Sequence, residues 1–226
     1  MRDRDLVRLH WPVELRSAFD ALFDIDDALA EVVTSSTQPA LGAIRLAWWR
    51  EALERLDHQP PPPEPRLQTA ASELLSRGIA GATLAGLEDG WATLLDEEPD
   101  IERIGERGAR LFAIGAKLLG ADDPRLDPAG RLYAQEQVRR LRLIAMPHPT
   151  DELNQLNSHR FAPRLRPLTA LARLAARDSG KSPLIEAEAT PGRAAALLSH
   201  RWFGRVARSG LNSFRFRLSH FAAGSP

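Results

Sequence analysis

Two consecutive helical patterns, joined by the five polar residues Thr34–Gln38, constrain this chain more than any other feature. The first runs from Pro12 to about Val33. Leu15, Ala18, Phe19, Leu22, Ile25, Leu29, Val32 and Val33 recur at helical spacing, with Asp20, Asp24, Asp27 and Glu31 largely on the other side. The second starts at Pro39, a residue suited to a first helical turn. At about 100° per residue, Leu41, Ile44, Trp48, Ala52 and Leu56 form one stripe there. So short a connection favours antiparallel neighbours. Each stripe contains one charged residue: Asp26 beside Leu22 and Leu29, and Arg45 between Leu41 and Trp48. Unpaired buried charge is costly, so an Asp26–Arg45 ion pair across the two helices is predicted.

The rest of the chain reads the same way. His58–Pro65 carries five prolines in six positions and is predicted as a polyproline surface loop. Helices are predicted over 66–77, 82–95, 99–119, 128–145, 164–177 and 191–208. The 99–119 segment stops at Gly120, a good C-terminal residue. Its stripe is Ile101, Ile104, Gly108, Leu111, Gly115 and Leu118. Inward glycines cost about 1 kcal/mol each relative to alanine, so Gly108 and Gly115 serve either a close helix crossing or a ligand channel. Trp48 and Trp49 are the other candidate cavity-lining residues. No segment is a convincing strand. The expectation is an all-α single domain of seven or eight helices over 1–208, with a tail over 209–226. In that tail Phe214–Leu218 alternates apolar and basic, which suits docking on the body or an anionic membrane surface.

Composition excludes several classes. There is no cysteine, so disulfides and thiolate metal sites are absent, which fits a reducing cytoplasm. Formal net charge is zero, which argues against a general nucleic-acid binder. No apolar run approaches the roughly 18 residues of a membrane span, and Met1–Asp5 lacks a signal-peptide core. The six histidines are scattered, so no zinc site is expected, and Ser199-His200 has no acid in register for a hydrolase triad. No glycine-rich phosphate loop is present.

The segment Pro39-Ala40-Leu41-Gly42-Ala43-Ile44-Arg45-Leu46-Ala47-Trp48-Trp49-Arg50-Glu51-Ala52-Leu53 resembles a signature of the squalene/phytoene synthase family. It is closest to the short bacterial branch that is similar to a mitochondrial complex I assembly factor. Leu22–Asp27 resembles the family's first aspartate-bearing helix, and Arg166–Asp178 resembles a later segment. The resemblance runs from about residue 4 to residue 208. It implies an isoprenoid-synthase-like bundle with a central apolar cavity. The family chemistry it implies is condensation of two prenyl diphosphates, held by Mg²⁺ between two acidic motifs.

This chain departs from that requirement. Asp26 matches the first acid of the Asp-x-x-x-Asp motif, but the second position is Ala30. Asp27 and Glu31 keep the spacing, offset about 100° toward solvent. On the 128–145 helix, Leu143 and Pro147 stand where aspartates belong, and Asp151 and Glu152 come too late. Asp26, Asp27 and Glu31 thus read as a vestigial motif. Arg139 and Arg142 are candidate phosphate ligands or simply a solvated face. The expectation is a protein that has lost prenyl transfer and acts as a binding or respiratory complex I assembly-type factor. It would be cytoplasmic and possess, at most, peripheral contact with the inner membrane. No metal or cofactor is expected. The alternatives are an active divergent prenyltransferase using Mg²⁺ with Asp26, Asp27 and Glu31, and an isoprenoid or lipid carrier.

Overall fold

The computed structural model describes residues 3–179, 187, 188 and 190–207, and the Phe214–Leu218 tail lies outside them. Among the described residues the protein is all helical, with no strand. The helices are α1 (Asp3–Arg8), α2 (Arg16–Ser35), α3 (Pro39–Arg55), α4 (Pro65–Glu73), α5 (Gly81–Ala85), α6 (Asp89–Ala92), α7 (Ile101–Leu119), α8 (Leu126–Leu141), α9 (Thr150–Leu156), α10 (Arg166–Ser179) and α11 (Pro191–Phe203). That exceeds the seven or eight expected. The predicted 82–95 helix breaks at Gly86-Leu87-Glu88 into α5 and α6, with a 3-10 turn over Thr93–Leu95. Both α1 and α9 arise in stretches without a long apolar stripe.

Helix α2 is the core of the molecule. Its predicted stripe is buried, and so are Ala21, Phe23 and Ala28 on other sides. It packs against α3, α4, α6 and α7. Trp11 stacks on Phe19 and Phe23 at its start, with centroids 4.8 and 5.7 Å apart, and Tyr133 of α8 meets Phe23 and Phe112. Burying such rings removes a large apolar area from water here.

The α7–α8 pair is the closest in the fold. A Cβ added to Gly108 would lie 2.0 Å from the Gly130 carbonyl oxygen, and one on Gly130 would lie 2.2 Å from the Gly108 carbonyl oxygen. Backbone thus touches backbone, and any side chain at the crossing would force the helices apart. A Cβ on Gly115 would meet Leu168 and Phe19 at 2.9 and 3.3 Å. Both glycines therefore serve helix packing, and the ligand-channel alternative is corrected.

Charged side chains tie the ends together. Arg193 of α11 is buried and bonds Asp3 of α1 and Asp178 of α10, and Asp178 also accepts from Arg140 of α8 at 3.0 Å. Burial opposes the Arg193 charge, but the bonds to Asp3 and Asp178 outweigh it and hold its pKa above the ordinary range. Nearby, the His200 ring lies 2.9 Å from the Thr169 hydroxyl, and its Nδ1 is 3.1 Å from the Arg205 carbonyl, linking α11 to α10.

Burial, with Arg173 and Arg166 nearby, depresses the His200 pKa to about 4. The unfolded chain therefore binds a proton that the folded chain refuses, and stability falls as pH drops from about 6.5 toward 4. The slope contributed is at most about 1.4 kcal/mol per pH unit. Urea unfolding at pH 7 and pH 5 should show a smaller difference in His200→Gln than in the parent. An equal difference would show that His200 does not carry it.

Candidate functional site

Asp26 is fully buried at the meeting point of four helices. Its carboxylate accepts from the Trp91 indole of α6 at 2.8 Å and from the Arg107 guanidinium of α7 at 2.5 Å. Gln137 of α8 stands 3.5 Å from its second oxygen and also accepts from Arg107 at 2.9 Å. The Arg107 guanidinium lies over the Trp91 ring, 4.0 Å from its centroid. Arg107 is as buried as Asp26. Two charges taken out of water are tolerated when each meets the other and further donors or acceptors. Asp26 and Arg107 meet each other, Trp91 and Gln137, while Arg107 Nε has no partner among the described residues.

The predicted Asp26–Arg45 pair is not formed. Arg45 is exposed and donates to the Ser35 hydroxyl at 3.3 Å. The physical reason is the orientation of α3. Its buried face is Gly42, Leu46, Trp49, Ala52 and Leu53, so Leu41, Ile44 and Trp48 point outward. An arginine on an outward face needs no buried acid.

The other acids of the vestigial motif are held by separate arginines. Asp27 pairs with Arg4 at 2.8 Å, and Glu31 pairs with Arg66 through both oxygens at 2.9 Å. Three carboxylates with three different guanidinium partners do not converge. Among the described residues, no group of three or more His, Asp or Glu is gathered as a cation site. The residues present do not fit a Mg²⁺ cluster, because no second described acid converges on the Asp26 carboxylate, which already accepts from Trp91 and Arg107.

Beside this network lies a cavity of about 250 Å³, framed by α1, α2, α8, α10 and α11. Leu141, Leu171, Leu174 and Ala175 give it one apolar wall. The rest is charged: Asp3, Asp27, Glu136, Asp178 and Glu188 against Arg4, Arg140 and Arg193. Tyr133 also lines it, its phenol pushed up by burial and by the charges of Asp26 and Asp27. The exposed lining of the cavity is still mostly apolar, and the cavity differs from the one implied by the family resemblance in its paired charges and its size. Its volume falls below the roughly 300–1,000 Å³ of ordinary small-molecule pockets, and its acids outnumber its bases.

None of Trp48, Trp49, Gly108 and Gly115 lines this cavity. Trp49 is in the core, and Trp48 meets it edge-on from outside at 5.4 Å. Arg139 is engaged by Glu136 at 2.6 Å. Arg142 is exposed at the end of α8 with φ of +55°, so the helix stops four residues before the predicted Ala145. The two arginines therefore do not form a phosphate clamp.

Sequence reading missed Arg107, Trp91, Gln137 and Arg4. Arg107 carried a usable signal: it lies between Ile104 and Leu111 on an apolar stripe. Comparison of the chain with family models, with curated proteins and with solved structures finds no match.

Replacing Arg107 by Met leaves Asp26 buried and unpaired, and should cost about 3–5 kcal/mol in urea unfolding. Adding Asp26→Asn should restore part of that loss. Arg45→Ala should stay within about 0.5 kcal/mol of the parent. The reverse ranking would contradict the assignment.

Proposed function

We propose that this chain is a squalene/phytoene synthase-like protein without prenyl-transfer chemistry, acting as a binding protein of the respiratory complex I assembly type. The observation that carries the first half is the Asp26 carboxylate. Ion-assisted loss of diphosphate needs free oxygens to gather divalent cations around a highly charged leaving group. Here the inward acid neutralises Arg107 instead. The adjoining cavity is bounded by more carboxylates than guanidiniums, which repels a diphosphate further. Its small volume also speaks against the lipid-carrier alternative.

The binding half is supported by α3. Ile44 is 66% exposed, and Leu41 and Trp48 lie on the same outward face. Apolar residues at i, i+3 and i+7 on an exposed helix are the pattern by which a helix engages a protein partner. Arg45, Glu51 and Arg55 flank them with both signs of charge, which suits a protein surface of mixed charge. The family resemblance supplies the candidate partner, the complex I machinery at the cytoplasmic face of the inner membrane. No described helix is long and apolar enough to cross a membrane, so such a location would be peripheral.

Purified protein incubated with Mg²⁺ and farnesyl or geranylgeranyl diphosphate should release no diphosphate above the rate without protein. Turnover on the ordinary enzymic scale, about 1 s⁻¹ or more, would overturn the reading. Ile44→Ser with Trp48→Ser should weaken binding to purified complex I subunits at least tenfold while leaving the unfolding midpoint unchanged.

A further inference from the structure

A second exposed apolar surface lies away from the α3 stripe, where the end of α1 meets the last turns of α11. The contact that joins them is Arg201 against the His10 ring, at 2.9 Å. Leu9 and Val13 stand exposed beside His10, and Leu198, Trp202 and Phe203 stand exposed on α11. Trp202 is 73% exposed, more than any other tryptophan or phenylalanine described. A large aromatic left that open at a helix end contributes nothing to the core.

Arginines dominate the charges around it, with Glu14 the exposed acid beside Val13. Arg16 donates to the carbonyls of Leu9 and Trp11, and Arg160 donates to the carbonyl of Phe203. Arg166 donates to the carbonyls of Phe161, Arg201 and Trp202. Arg164 and Arg205 are exposed on the same segments. None of Arg16, Arg160, Arg164, Arg166, Arg201 and Arg205 has a carboxylate partner among the described residues. Elsewhere in the molecule arginines are repeatedly paired with acids, as Arg4, Arg66, Arg103, Arg107, Arg131 and Arg193 are. Nearby Arg8 and His159 are likewise paired, with Asp20 and Asp123.

We infer that this face docks on an anionic phospholipid bilayer. Tryptophan and phenylalanine with leucine enter the boundary between headgroups and acyl chains, and unpaired arginines beside them meet lipid phosphates. A protein partner is the poorer fit, since the rim is predominantly basic, in contrast to the mixed charges along α3. Burial of Leu198 and Trp202 supplies the apolar part, and Arg160 and Arg201 supply the electrostatic part. The inference names the membrane-contact surface within the proposed function and takes only the peripheral location from it.

Flotation of the full chain with vesicles tests it. The protein should float with vesicles containing phosphatidylglycerol and remain behind with pure phosphatidylcholine vesicles. High salt should release it. Arg160→Gln with Arg201→Gln should weaken binding about fivefold per arginine, and Leu198→Ser with Trp202→Ser at least tenfold. Trp48→Ser on α3 should float like the parent. All variants should keep the parent's unfolding midpoint, because every substituted side chain is exposed. Binding that survives both α11 pairs, equal binding to neutral vesicles, or no flotation at all would overturn the inference. So would self-association abolished by the same substitutions without vesicle binding, which would assign the face to a second copy. None of these results bears on diphosphate release, so the two readings fail separately.

Discussion

The buried Asp26–Arg107 contact is the interaction on which the rest of this structure depends. It joins α2 to α7 in the centre, and Trp91 and Gln137 bring α6 and α8 to the same point. A carboxylate in that position has two stable fates. It can be neutralised by metal ions, which requires further acids around it, or by a guanidinium, which requires none. The nearest acids in sequence are committed elsewhere, Asp24 and Asp27 to Arg4 and Glu31 to Arg66. With an arginine on α7, the scaffold is held together by the very group that an ion cluster would need. Stability and chemistry here compete for one carboxylate.

On the proposed reading, function falls to the outer surface. Helix α3 spends Leu46, Trp49 and Leu53 on the core and presents Leu41, Ile44 and Trp48 outward. The α1–α11 end presents Trp202 and Leu198 among arginines. The first surface has mixed charge and the second is predominantly basic, so the two suit different partners. A molecule engaging a bilayer through one and a protein through the other would hold its partner beside the membrane.

The all-helical class and most of α2, α7 and α10 were legible because their apolar residues keep one helical period. Helix α3 was misread because it has two. Leu46, Trp49 and Leu53 recur as regularly as Leu41, Ile44 and Trp48, and periodicity alone cannot say which set faces in. Arg45 was taken as a buried misfit when it marked the solvent side. The true misfit, Arg107, sits between Ile104 and Leu111 and is 81 residues from Asp26. The Asp3–Arg193 pair spans 190 residues. Such contacts depend on how helices assemble, and no local pattern encodes them. The end of α8 was hidden for another reason: Arg142 adopts the left-handed conformation that glycine usually marks.

The central claim is that the inward carboxylate belongs to Arg107 and to no cation. Anomalous diffraction from crystals soaked with Mn²⁺ and a non-hydrolysable farnesyl diphosphate analogue tests it most directly. The account predicts no manganese peak at Asp26, with the Arg107 guanidinium still against the carboxylate. Two or more manganese ions bridged by Asp26 and its neighbours, with Arg107 displaced, would contradict it.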